Sequence, residues 1–284
     1  MRNFSFRLDG KWFLILITFL VNTVVVSAQL KIYVNTDLEG ISGVFNFTQT
    51  REKGSPENLQ ACEYFMGDLD AVIQGLRDGG ATEVVVLDGH GNQAVVPHLM
   101  SPGANWITGR PRPGAGTLSL LDSSFAAMVM VGFHAMNGTP DGVLCHTQSS
   151  KTENRYWYND IESGELVQNA VIAGYYNVPV VMVTGDVATC REATHFFGDK
   201  CVTVATKRGL AREAAELYPF EVTRQALYDG AKKAVSVIAE CKPYTLKFPV
   251  KAKKQQLVQE GDSTVPGLVT KEKTILHPLQ ILDL

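Results

Sequence analysis

The sequence predicts an α/β protein of three layers, in which helices cover both faces of a largely parallel sheet and a smaller α+β portion follows at the C-terminal end. Strand-like apolar runs alternate with segments of helical periodicity, the order typical of parallel sheets. Four of these runs also end on acids or histidines: KIYVNTDLEG (31–40), TEVVVLDGH (82–90), AAMVMVGFH (126–134) and VPVVMVTGD (178–186). Because ligands bind beyond the carboxyl ends of parallel strands, this pattern indicates a polar site at one edge of the sheet.

Composition allows a sizeable core and argues against several classes of protein. The chain has 284 residues, of which 45% are hydrophobic and 19% charged, as is ordinary for a globular enzyme. A net charge of −3 provides no basic surface for a phosphate backbone, so nucleic acid is not an expected partner. The five cysteines show no CxxC spacing, which argues against a cysteine zinc site. Cys190 and Cys201 could pair, although spacing alone does not establish this.

The first 28 residues resemble a secretory signal peptide. Arg2, Arg7 and Lys11 precede an apolar run over 12–26, and Ala28 offers a cleavage site before Gln29. We therefore expect a signal peptide over 1–28, a single domain over 29–284, and a secreted or periplasmic protein with no stable membrane span after cleavage. The alternative is that the apolar run is a single membrane anchor.

The elements between the first and third apolar runs follow from periodicity and from glycine and proline. Apolar residues at helical spacing predict a helix over 56–79 that ends at two glycines, and a strand over 83–87 then completes a right-handed βαβ unit. The stretch up to Phe125 is rich in proline and glycine and contains a short strand candidate at 105–108. Its segment GRPRPGAG (109–116) lacks the dinucleotide-binding spacing, and we expect a loop at the rim of a substrate site.

The second half of the chain continues the alternation and then becomes less regular. The predicted elements are short strands at 142–147 and 156–161, a helix at 164–176, a strand at 179–184, helices at 187–196, 209–217 and 221–239, and strand-like segments at 244–250 and 269–276. Asp186 is expected to cap the helix that follows it. The last two segments would form the smaller C-terminal portion.

Acids and histidines at the strand ends are candidates for holding a metal. Asp37 and Glu39 are two residues apart, so in extended geometry both carboxylates project to the same side. His90 and His134 each follow an apolar run. Carboxylate oxygens and imidazole nitrogens suit zinc, and a shared carboxylate can hold two metals about 3.5–4 Å apart. Each residue taken alone also has a structural explanation, so the argument depends on their convergence.

Three further residues have more than one interpretation. Asp88 could accept a hydrogen bond from His90, or it could form a turn with Gly89. His146 follows His134 closely enough to share its pocket and could act as a base or a nucleophile. Glu165 falls in the first turn of a predicted helix, where acids are common, so the pattern alone gives it no function.

These motifs together resemble the D-aminopeptidase family of binuclear zinc metallopeptidases. The resemblance runs from Lys31 to about Ala239 and is weak beyond Lys242. It is carried by DLEGISG (37–43), LDGH (87–90), GFHA (132–135), GVLCH (142–146), GELVQNAVIAGYYNVPV (164–180) and GD (185–186). The signal peptide departs from the cytoplasmic protein that gives the family its name.

The resemblance implies a site and an activity. The residues implied as ligands of two zinc ions per chain are Asp37, Glu39, His90, His134 and Glu165, with Asp37 as the bridge, and the implied catalytic residue is His146. The implied enzyme removes N-terminal residues from short peptides, D-amino acids in the case of its namesake, and assembles into a homo-oligomeric ring. Export would make D-alanine peptides from peptidoglycan attractive substrates.

Two other functions stay open from the residues alone. A metal-dependent amidase or phosphoesterase could use the same ligands. An exported solute-binding protein could use the same acids and histidines to hold a polar ligand. Asp186 is a candidate for binding the amine of a substrate, in competition with its role as a helix cap.

Overall fold

The structure is a computed structural model that describes residues 1, 29–112, 117–259 and 265–284. The predicted signal peptide, apart from its first residue, lies outside the described residues. The helices are α1 (Phe47–Arg51), α2 (Pro56–Asp78), α3 (Glu165–Tyr175), α4 (Val187–Phe197) and α5 (Phe220–Ser236). The strands are β1 (Lys31–Thr36), β2 (Glu83–Leu87), β3 (Asn105–Ile107), β4 (Ala127–Val131), β5 (Arg155–Tyr158), β6 (Ile161–Glu162), β7 (Val180–Asp186), β8 (Val202–Ala211), β9 (Ala214–Leu217), β10 (Val250–Val258) and β11 (Gly267–Ile275).

Seven strands form the main sheet, in the order β3-β2-β1-β4-β7-β8-β9. All neighbouring pairs from β3 to β8 are parallel, and only β9 runs antiparallel at the edge. The four strands that were predicted to end on polar residues are therefore adjacent, with β1 between β2 and β4. The predicted α/β class with a largely parallel sheet is confirmed.

Both faces of this sheet are covered, which explains why its central strands are apolar throughout. Alternate residues of β1 belong to different cores. Ile32 and Val34 pack with residues of α2 and α5, whereas Tyr33 packs with residues of α3. The result is the predicted order of helix, sheet and helix layers.

A second sheet involves the C-terminal strands. Its order is β11-β10-β5-β6, and every pairing is antiparallel. The strand β10 pairs with β5 through partners such as Ala252 and Tyr158, so the C-terminal strands do not fold apart from the middle of the chain. In the ranges that the structure covers, no helix has the length and apolarity needed to cross a membrane.

Three local predictions were wrong. The segment 209–217, predicted as a helix, forms the end of β8 and β9, which pair as a hairpin. The segment 142–147 is a series of turns in which Leu144 has a φ of 53°. The segment 244–250 has no regular strand before Val250. In addition, all five cysteines are free, so the pairing considered between Cys190 and Cys201 is absent.

Candidate metal centre

The polar residues at the strand ends converge as their positions predict. Asp37 and Glu39 follow β1, His90 follows β2 and His134 follows β4, and these three strands are neighbours. The Nδ1 atom of His90 lies 2.9 Å from Oδ1 of Asp37 and 3.2 Å from Oε2 of Glu39. The Nε2 atom of His134 lies 3.2 Å from Oδ2 of Asp37. All four side chains are buried.

Two residues from outside the strand ends complete the cluster. Glu165 begins α3, and its Oε1 atom lies 3.6 Å from Nε2 of His134 and 3.9 Å from Nε2 of His146. The rings of His134 and His146 stack with centroids 3.9 Å apart and an angle of 15° between their planes. The structure thus brings together all six site residues that the sequence analysis named.

The loops after β1 and β4 approach each other too closely for a side chain between them. The backbone N–H of Gly40 donates to the carbonyl of Gly132 at 2.7 Å. A Cβ atom on Gly40 would lie 1.9 Å from the carbonyl oxygen of Phe133. Gly132 has a φ of +75°, which favours glycine. These glycines set the distance between the acids after β1 and the imidazole after β4.

Lys207 stabilises the loop that carries Asp37 and Glu39, and the sequence did not predict this role. This lysine of β8 is fully buried, and its Nζ atom donates to the carbonyls of Glu39 and Ile41, both at 2.7 Å. Burial lowers the pKa of Lys207 to about 8. The sequence signal was a lysine within a strand whose other buried residues, Val204 and Thr206, carry no charge.

Each imidazole is oriented by a backbone carbonyl. The Nε2 atom of His90 lies 3.0 Å from the carbonyl of Thr50, Nδ1 of His134 lies 3.0 Å from that of Ala135, and Nδ1 of His146 lies 2.8 Å from that of Leu144. A carbonyl can only accept, so these nitrogens carry a hydrogen, and the second nitrogen of each ring is left to bind a proton or a metal ion. Metal-binding histidines are commonly oriented in this way.

Asp88 and Asp186, two acids near the centre, accept hydrogen bonds that stabilise nearby loops and a helix start. Asp88 does not orient His90, since the carbonyl of Thr50 does so. The carboxylate of Asp88 instead accepts from the backbone N–H of Ala94 and from the hydroxyl of Thr108. Asp186 caps α4, as predicted, and its second oxygen accepts from the N–H of Val143.

The donor set fits a zinc ion. The nitrogens of His90 and His134 that face the carboxylates can hold either a proton or a metal ion, and the clustered acids favour a cation at these positions. Oε2 of Glu39 and Nε2 of His134 are buried without a hydrogen bond from any described residue, although carboxylate and imidazole lie close. Ligand atoms of Asp37, Glu39 and His134 lie within 4.8 Å of one another, as do those of His134, His146 and Glu165. Mixed oxygen and nitrogen ligands of this kind suit zinc.

The pKa of His146 is shifted in the opposite direction from those of His90 and His134. Burial, together with the neighbouring His134, lowers the pKa of His146 to about 4. Burial acts in the same direction on His90, but the carboxylates of Glu39 and Asp37 hold the pKa of that ring well above its usual value. His146 is therefore neutral near pH 7 and has an Nε2 atom able to accept a proton.

The cluster opens into a cavity of about 990 Å³. Asp37, Glu39, His90, His146 and Glu165 line its base. Its walls carry four cationic side chains: Arg51, Arg110, Arg112 and Lys151. Two of these belong to the segment 109–116, which was predicted to form the rim and of which 113–116 lie outside the described residues.

Comparison with known proteins agrees with this geometry. A family model described as D-aminopeptidase matches residues 30–265. The chain is similar to a D-aminopeptidase of Bacillus subtilis (strain 168), with 33% identity over 189 residues that cover 66% of this chain and 67% of that protein. It is also similar in structure to the zinc-dependent D-aminopeptidase DppA from Bacillus subtilis, a self-compartmentalizing protease. That match has a TM-score of 0.79 and 26% identity and covers 89% of this chain and 94% of the other. The chain therefore belongs to the D-aminopeptidase family and is a zinc-dependent peptidase.

Proposed function

We propose that the protein is an exported aminopeptidase that holds two zinc ions and removes N-terminal residues, D-amino acids in particular, from short peptides. The observation that carries the two-ion site is the position of Asp37. Its Oδ1 atom lies 2.9 Å from Nδ1 of His90, while its Oδ2 atom lies 3.2 Å from Nε2 of His134. One carboxylate thus faces two separate donor sets, as a bridging ligand does.

The ligands divide between two positions. Glu39 and His90 lie on the Oδ1 side of Asp37, and His134 and Glu165 lie on its Oδ2 side. When bound, zinc ions supply a Lewis acid that polarises a peptide carbonyl and lowers the pKa of water. The protein keeps the ligands in place through the carbonyl partners of the two imidazoles and through Lys207 beneath the loop of Glu39.

His146 transfers the proton. Its Nδ1–H donates to the carbonyl of Leu144, which fixes the ring and leaves Nε2 free. Nε2 lies 3.9 Å from Oε1 of Glu165, one of the ligands on the Oδ2 side of Asp37. His146 also lines the cavity, so this nitrogen can reach a peptide bound there. The ring is neutral and can take a proton during attack and return it to the leaving amine. Direct attack by Nε2 on the carbonyl is the alternative role for the same atom.

A panel of short peptides with matched D- and L-alanine N-termini tests this function. We expect the wild type to release D-alanine, and His146→Ala to lower kcat by about 10²–10⁴ while its zinc content is unchanged. His98→Ala is the matched control, because His98 is exposed and outside the cavity. Full activity in His146→Ala would exclude the proposed proton transfer, and release of L-residues alone would contradict the preference for D-amino acids.

The proposed location and natural substrate depend on the N-terminal segment. Its basic residues, apolar run and small-residue end support export, and an exported D-aminopeptidase would meet peptidoglycan fragments that contain D-alanine. N-terminal sequencing of protein from an expressing bacterium tests this point. We expect a mature chain that begins at Gln29 in the secreted or periplasmic fraction, and an intact chain in the cytoplasm would contradict export.

The protein is also proposed to act as a homo-oligomer. Support comes from the similarity to DppA, which is described as self-compartmentalizing. Light scattering of the mature chain gives its mass in solution. We expect a multiple of the mass of one chain, and a monomer at assay concentration would contradict the proposal.

A further inference from the structure

Three arginines of the cavity have no acidic partner among the described residues. Most other arginines in the described ranges form ion pairs with an acid: Arg155, Arg191, Arg208, Arg212 and Arg224. Arg51, Arg110 and Arg112 form none, and all three line the cavity. Because a guanidinium is always charged, the cavity presents fixed positive charge opposite the acids at its base.

Arg110 and Arg112 are held next to the metal centre by the loop that carries His90. A guanidinium nitrogen of Arg112 donates to the carbonyl of Asp88, and one of Arg110 donates to that of Gly89 at 3.4 Å. These two carbonyls belong to the residues directly before His90. Each guanidinium has five N–H donors, so most of them stay available to a ligand.

The two guanidinium groups are near each other, since they donate to the carbonyls of the consecutive residues Asp88 and Gly89. Burial, together with the charge of Arg110, lowers the pKa of Arg112, which is half-buried. The carboxylate of Asp88 offsets part of their mutual repulsion, but neither guanidinium forms an ion pair among the described residues, so the repulsion raises the free energy of the empty cavity. A bound anion would remove that cost, and two adjacent guanidinium groups suit the two oxygens of a carboxylate.

Arg51 makes more contacts with the protein than Arg110 and Arg112 do. Its Nε and Nη2 atoms donate to the hydroxyl and the carbonyl of Ser150, at 2.8 and 2.6 Å. Its guanidinium carbon also lies 3.4 Å from the centre of the Phe47 ring. Arg51 is therefore a fixed part of the wall, whereas Arg110 and Arg112 have more unused donors.

We propose that Arg110 and Arg112 bind the C-terminal carboxylate of the peptide substrate, so that the enzyme selects short peptides with a free C-terminus. The proposal rests on the aminopeptidase function proposed above. A short peptide carries charge at its two ends, and the cavity has acids at its base and these arginines on its wall. Two or three residues span at most about 7–11 Å, so a longer chain would carry its carboxylate past arginines that lie beside His90.

The test uses three peptides that share a D-alanine N-terminus. One has a free C-terminal carboxylate, the second a C-terminal amide, and the third an amide and a glutamate side chain. We expect the wild type to prefer the free acid over the simple amide by about tenfold or more in kcat/KM. Arg112→Gln and Arg110→Gln are each expected to raise KM for the free acid by about tenfold, with little change in kcat and with unchanged kinetics on the amide.

Arg77→Gln is the matched control. Arg77 also donates to a backbone carbonyl, that of Thr82, and forms no ion pair among the described residues, but it lies outside the cavity. This variant should keep the wild-type preference. Zinc content and melting temperature are measured for every variant, and equal values show that a change in KM does not come from a damaged metal centre. If Arg112→Gln fails to fold, the exposed Arg110 provides the second variant.

The possible results separate this inference from the proposed function. A wild type that cleaves acid and amide equally well would overturn carboxylate recognition and leave the aminopeptidase function standing. A glutamate amide cleaved as well as the free acid would overturn the assignment to the chain terminus. Release of no N-terminal residue from any of the peptides would overturn the proposed function itself.

Discussion

The carboxylate of Asp37 has different neighbours on its two oxygens. Burial alone would raise its pKa, but the adjacent imidazoles of His134 and His90 hold the pKa of Asp37 well below its usual range. The acid is therefore ionised and faces both imidazoles. The shortest histidine contact of Glu39 is 3.2 Å to Nδ1 of His90, whereas that of Glu165 is 3.6 Å to Nε2 of His134. This asymmetry lets single substitutions distinguish a bridging ligand from the others.

Zinc stoichiometry should follow that division. Asp37→Asn is expected to lose both ions, while Glu39→Gln and Glu165→Gln should each lose about one of the two during dialysis, because each removes a ligand from one position. Elemental analysis of purified protein measures zinc per chain. Glu63→Gln, at an exposed acid of α2, is the control and should keep both. Two ions retained in Asp37→Asn would exclude the bridge.

Glu192 makes stability depend on pH. This acid of α4 accepts from the N–H of Met136, and burial raises its pKa to about 7 from a usual value of 4.5. The folded state therefore binds a proton that the unfolded state has lost, so the stabilisation is fully present below pH 4.5 and disappears as the pH rises through 7.

Glu192→Gln removes this dependence because glutamine does not titrate. Relative to the wild type, the variant should gain free energy of unfolding on the order of 3 kcal/mol between pH 4.5 and 7. Urea denaturation of both proteins across this range gives the difference. A difference that does not vary with pH would show that Glu192 titrates normally.

At the level of elements, the centre depends on how the segments after β1 and β4 meet. The backbones of Gly40 and Gly132 are in direct hydrogen-bond contact, and Lys207 of β8 donates to carbonyls of the same loop. Asp37, Glu39 and His134 are therefore positioned by short segments that are attached directly to packed strands of the main sheet. Strands of a packed sheet hold such groups more rigidly than loops do.

Gly40→Ala tests this dependence on close approach. The added Cβ atom would lie 1.9 Å from the carbonyl oxygen of Phe133, so the two loops must move apart and separate Asp37 from His134. We expect kcat/KM to fall by about 100-fold or more, together with loss of zinc. Gly267→Ala is the control, since its nearest neighbour is 3.9 Å away. Wild-type kinetics in Gly40→Ala would show that the contact does not position the ligands.

For the molecule as a whole, the centre joins parts of the chain that are far apart in sequence. It connects the ends of β1, β2 and β4 with α3 and with the turns that carry His146. Removal of the ions leaves several buried acids without a cation, which destabilises the folded state. Zinc binding and folding should therefore be thermodynamically linked.

Treatment with a chelator should lower both activity and the melting temperature, and added zinc should restore both. Scanning calorimetry with and without chelator measures the shift. Asp37→Asn provides the matched control, because a chain that holds no zinc should show no shift with chelator. An unchanged melting temperature in the wild type would contradict the link between the ions and folding.

The sequence alone was sufficient for the α/β class and for four of the six residues of the centre. Apolar runs rich in β-branched residues reveal buried parallel strands through local composition, and polar residues directly after such runs must lie at one edge of the sheet. Asp37, Glu39, His90 and His134 could be inferred on this basis. His146 was a candidate because it follows His134 closely along the chain, and the family resemblance implied its catalytic role. Glu165 could not be inferred, because acids are common at helix starts, and only the resemblance indicated it.

The tertiary structure decided the features that depend on partners distant in the chain. The strand β10 pairs with β5 across about a hundred residues. The segment 209–217 forms a local hairpin, but it is a strand because β8 continues the parallel main sheet beside β7. Thr50, rather than the adjacent Asp88, orients His90. Lys207 reaches the loop of Glu39, and Arg110 and Arg112 lie beside the centre without an ion pair to any acid that the structure describes. Burial and pairing between distant segments create these arrangements, and local sequence does not encode which segments will meet.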